Sequence, residues 1–93
     1  MDKNFVELTS AISTTGKYRI MLAEHYDKGI VCYDVCAMYR TEEHKGAIVR
    51  RHYPNDKVGA MLYWNNFRDQ MTAPRGESAE DAPVERLVER RVN

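Results

Sequence analysis

Few side chains in this chain have chemical reach. Three histidines (His25, His44 and His52) and two cysteines (Cys32 and Cys36) supply the potential metal ligands and nucleophiles. Zinc sites gather thiolates and imidazoles at short spacings, because two ligands from one local segment preorganise half of the coordination shell. No CxxC, HxxxH or HExxH spacing occurs here. Cys32 and Cys36 stand four apart in one apolar run that reads as a strand. At about 3.3 Å per residue their α-carbons are ~13 Å apart, well beyond the ~7 Å that a disulfide tolerates. Neither a shared metal nor a bond between the two is expected, and no cofactor is implied. A Cys–His nucleophile could form between Cys32 or Cys36 and His25 or His52 across neighbouring strands, since cross-strand pairs come within about 5 Å. A reactive thiol, however, wants partial exposure and positive surroundings, and these two lie among apolar residues. No enzymatic activity is expected.

The acids say more. Glu42 and Glu43 sit in a polar connection and read as a solvated turn, whereas Asp34 is the single charge inside the most apolar strand. A carboxylate there is costly if buried without a partner, so Asp34 marks an edge of the core, faces a partner or, the favoured expectation, pairs with Arg19 or Arg51 on adjacent strands. Five glycines (Gly16, Gly29, Gly46, Gly59 and Gly76) are scattered singly and form no phosphate-binding loop.

One constellation carries weight as a surface. Arg19, Arg40, Lys45, Arg50, Arg51 and His52 interleave with Tyr33, Tyr39 and Tyr53. Sheets with such residues bind single-stranded nucleic acid, yet Tyr and Arg also dominate protein–protein hot spots. The formal charge is zero, from 14 basic and 14 acidic residues. A dedicated nucleic-acid binder usually has a basic excess, so a larger protein or ribonucleoprotein is the expected partner and RNA or DNA the second choice. Tyr33, Tyr39, Arg50, Arg51 and Tyr53 are the candidate partner-binding residues.

The elements that must position these groups follow from periodicity. In residues 4–13, Phe5, Leu8 and Ile12 follow helical spacing and slightly favour a short helix over a strand. Alternation from Tyr18 to Tyr26 predicts a strand, and Tyr26-Asp27-Lys28-Gly29 a hairpin turn. The next strand, Ile30 to Arg40, is apolar on both faces, as a central strand would be. A third runs from Ala47 to Tyr53, stopped by Pro54. Asp56 can then cap a helix from Lys57 to Met71, with Ala60, Tyr63, Trp64, Phe67 and Met71 as its apolar stripe, widened by Val58, Met61 and Leu62.

The fold class expected is therefore α+β: a three-stranded antiparallel meander packed by an amphipathic helix, with a short N-terminal helix or strand and a C-terminal helical tail. Residues 1–73 form the single domain, 74–82 a flexible linker, and 83–93 a short amphipathic helix. Val84, Leu87, Val88 and Val92 share a face of that tail. The tail could stay solvated and half-formed, fold back on the domain, or pair two copies into a homodimer through these four residues.

Ninety-three residues suffice for one thin-cored domain. No window approaches the roughly 20 apolar residues of a membrane span, and the first residues lack a signal-peptide core. A cytoplasmic location with reduced, buried cysteines is expected. No stretch matches a motif whose chemistry dictates a reaction. The functional expectation is a non-catalytic protein-binding module that inhibits or adapts a larger machine, a role common among small charge-balanced phage proteins that antagonise bacterial defence systems. One helix cannot cover both faces of the central strand, and function is expected on the face it leaves.

Overall fold

The computed structural model describes residues 5–41, 47–74 and 84. Among these residues the fold is α+β, with one antiparallel sheet of four strands and one complete helix: β1 (Val6–Ile12), β2 (Tyr18–Asp27), β3 (Ile30–Tyr39), β4 (Val49–Pro54) and α1 (Lys57–Met71). The strands lie in sequence order, so the sheet is a plain meander with β1 and β4 at its edges.

The fourth strand corrects the three-strand expectation. Residues 6–12 pair with β2 from Val6↔Glu24 to Ile12↔Arg19 instead of forming the slightly favoured helix. Thr9 and Ser10 are poor interior helix residues, because their hydroxyls compete for the backbone, and the open edge of β2 offers the segment a full ladder of hydrogen bonds. Leu8 is the one residue without a partner in that register, a bulge between Glu7 and Thr9. The helical spacing of Phe5, Leu8 and Ile12 therefore reflects a bulged strand, in which one extra residue shifts the alternation.

Between β2 and β3 the pairing Asp27↔Ile30 leaves a two-residue turn. Lys28 has φ 54° and Gly29 φ 81°. Both signs are those of a type I′ turn, whose twist matches that of the flanking strands. It fixes ten cross-strand pairs from Tyr18↔Tyr39 to Asp27↔Ile30.

Alternation sends Tyr18, Ile20 and Leu22 of β2, Tyr33, Val35 and Ala37 of β3 and Val49 of β4 to one side of the sheet. There they pack with Ala60, Trp64, Phe67 and Met71 of α1. Asp56 caps the helix as expected, its Oδ1 accepting from Gly59 N at 2.9 Å. The buried stripe is narrower than its sequence implies: Val58 and Leu62 are 71% and 66% exposed. They lie on the far side of the cylinder from Trp64 and Phe67.

Val84 is helical and fully buried in this same core, so at this position the tail folds back onto its own domain. Leu87, Val88, Val92 and residues 75–82 of the expected linker lie outside the described residues. Among the described residues, no helix is long and apolar enough to cross a membrane.

Candidate functional site

The other face of the sheet carries the chemistry. β2 sends Arg19, Met21, Ala23 and His25 there, β3 sends Cys32, Asp34, Cys36 and Met38, and β4 sends Arg50 and His52, as the pairings Ala23↔Asp34↔His52 and Met21↔Cys36↔Arg50 require. Among the described residues no second helix packs on this side. A small apolar cluster of Met21, Ala23 and Cys36, flanked by Phe5 and Met38, occupies it instead.

Asp34 is the centre of a polar group within that face. Its side chain has no solvent exposure. His52 Nδ1 donates to Oδ1 at 2.6 Å, and Arg50 Nη1 donates to Oδ2 at 3.3 Å. His25 Nε2 stands 3.2 Å from Oδ2, but that nitrogen is buried and makes no hydrogen bond among the described residues. The ring of Phe5 stacks on His25 at 4.3 Å between centroids and 17° between planes, and the Arg50 guanidinium lies 5.9 Å from the Phe5 centroid. A buried carboxylate must be paired and hydrogen-bonded to persist; here His52 and Arg50 do both.

The expected partners of Asp34 were Arg19 and Arg51, and neither serves. Arg19 forms an ion pair with Glu7 of β1. Arg51 points to the α1 side, 4.6 Å from the Tyr63 centroid and 5.8 Å from that of Tyr53. The register places Arg50 and His52 on the face of Asp34, and a period of two puts Arg51 on the opposite one.

Beside this polar group a groove of about 250 Å³ is lined by Phe5, Glu7, Arg19, Met21, Ala23, Met38, Tyr39 and Arg40. Its floor is thioether and methyl, and its rim is charged. The thiol of Cys36, on the same face, is pushed up to about 11 by burial and, secondarily, by the Asp34 carboxylate. Both cysteines are free and buried. A thiol held protonated in this way is a poor nucleophile.

The five candidate partner-binding residues do not form one surface. Tyr33 is only 6% exposed and belongs to the core under α1. Tyr39 is half-buried against Tyr18, at 5.5 Å between centroids. Arg51 and Tyr53 stay together at the seam between β4 and α1, where Tyr53 meets Tyr63 at 6.2 Å. Arg50 alone faces the opposite side.

Sequence reading missed the convergence of His25, Asp34 and His52. Half of it was available: the two-residue turn sets Ala23 opposite Asp34, leaving His25 as the diagonal neighbour. The other half, Asp34↔His52, depends on the β3–β4 register, which no short turn announces. No protein-family model matches this chain, no curated protein is significantly similar to it, and no solved structure matches it significantly.

Proposed function

We propose that this chain is a non-catalytic protein-binding module that docks the sheet face opposite α1 onto a larger protein, acting as its inhibitor or adaptor. The observation that carries this reading is the groove of about 250 Å³ beside β1, with Phe5, Met21, Ala23 and Met38 as an apolar floor and Arg19, Arg40 and Glu7 at its rim. Methionine is flexible and polarizable, so a Met-floored groove adapts to a partner's side chains. Arginine at the rim supplies charge-assisted, directional hydrogen bonds.

The charges of this sheet face disfavour the nucleic-acid alternative. Arg19 is engaged by Glu7 and Arg50 by Asp34, so acidic neighbours offset the cations that phosphates would need. Zero net charge points the same way.

The test compares cross-linked complexes of the wild type with those of Arg19→Glu/Met38→Glu in the groove and Val58→Ser/Leu62→Ser on the exposed side of α1. One protein is expected to cross-link through the groove, to be lost from the first variant and to be kept by the second. A partner that survives the groove substitutions in a folded chain, or recovery of RNA or DNA in place of protein, would overturn the reading.

A further inference from the structure

His25 Nε2 poses a problem that the protein groups around it leave unsolved. Its side chain is only 9% exposed, Phe5 holds its ring in place by stacking, and its buried nitrogen makes no hydrogen bond among the described residues. Buried polar atoms are nearly always satisfied, and an exception calls for a missing partner. That nitrogen faces the fully buried carboxylate of Asp34 at 3.2 Å, and His52 Nδ1 approaches the other carboxylate oxygen at 2.6 Å. One ligand atom from each of the three residues falls within 4.8 Å of the other two.

We infer that His25, Asp34 and His52 form a site for one divalent transition-metal ion of the zinc type, held between three adjacent strands. Two imidazoles and one carboxylate suit zinc and its neighbours and disfavour calcium or magnesium, which want shells of oxygen. Ligand bonds of about 2.0–2.2 Å require donors nearer to one another than 4.8 Å, a closure that small side-chain rotations can supply. Strand register, which the hairpin turn fixes on one side, holds the three α-carbons. An ion would give His25 Nε2 the electron-pair acceptor it lacks. Three protein ligands leave a fourth tetrahedral position for water or for a partner's side chain.

Two terms oppose the ion: the proton on His52 Nδ1, which must be released to solvent if that nitrogen is to ligate, and Arg50. Its guanidinium shares Oδ2 with the proposed ion, and two cations at one carboxylate repel. The Arg50 side chain is 54% exposed and flexible, so it can withdraw to solvent when the ion binds. The site is therefore a competition between Arg50 and the metal for one oxygen, and the competition makes a distinctive prediction.

The experiment uses the full, untagged chain, stripped with a chelator and titrated with Co²⁺ by its visible absorption, then with Zn²⁺ in competition. One equivalent of Co²⁺ is expected per chain, displaced by Zn²⁺, with a higher melting temperature in the loaded form. His52→Gln, at a side chain 44% exposed and so tolerant of change, should weaken binding at least about tenfold, the loss that even an outer-sphere partner causes. Arg50→Gln should bind as tightly as the wild type or more so. Binding by His52→Gln equal to that of the wild type, with an unchanged circular dichroism spectrum, would overturn the proposal. So would a wild-type chain that takes up no Co²⁺, or an Arg50→Gln variant that loses the ion.

Discussion

Replacing Asp34 by alanine is the most severe single perturbation that the open face offers. The carboxylate is wholly buried, accepts from His52 at 2.6 Å and from Arg50 at 3.3 Å, and lies 3.2 Å from His25. Removing one member of a buried charged pair costs roughly 3–5 kcal/mol, because the remaining groups keep their desolvation without their compensation. A small domain has only about 5–15 kcal/mol in total. At ~4–8 °C of melting temperature per kcal/mol for this size, the midpoint should fall by roughly 12–40 °C. Arg50→Ala is the internal comparison. Its side chain is 54% exposed, so its loss should cost about 1 kcal/mol or less. Urea unfolding followed by the fluorescence of Trp64, the single and buried tryptophan, measures both variants. If Asp34→Ala loses no more stability than Arg50→Ala, the carboxylate does not organise this face and the reasoning fails.

Three further outcomes can be checked by unfolding measurements. Gly29→Ala should destabilise by about 1–2 kcal/mol from backbone strain alone, because φ is +81° while a Cβ there would meet nothing within 4 Å; an unchanged urea midpoint would refute this. Trp64→Ala should cost roughly 3–5 kcal/mol, read by far-ultraviolet circular dichroism, since this side chain fills the space between α1 and the sheet. The Cys36 thiol has its pKa raised from 9.0 to about 11, so the unfolded chain ionises first as the pH rises. Its contribution to stability is fully present below pH 9 and is lost as the pH climbs towards 11. The wild type should therefore weaken more steeply than Cys36→Ala over that window, and parallel curves would contradict the assignment.

The legible parts of this fold were those governed by local rules. Strict alternation announced β2 and β3, the Lys28-Gly29 turn set their register, and 3–4 spacing with an Asp56 cap announced α1. Each depends on residues only a few positions apart, where period and turn chemistry act directly. The zero net charge and the lack of a ligand motif were likewise properties of the chain alone.

Tertiary structure decided the remainder. The segment at residues 6–12 became a strand because β2 had an edge to offer, and a bulge at Leu8 disguised its alternation. Val58 and Leu62 were left outside because the sheet reaches only a narrow stripe of α1, and Tyr33 was buried by the helix that crosses it. Above all, the partners of Asp34 were chosen by the β3–β4 register. A shift of one residue would have put Arg51 beside it in place of Arg50 and His52, because each step along a strand turns the side chain to the other face. Sequence supplied His25, Asp34 and His52 as three unrelated residues; pairing across strands made them neighbours.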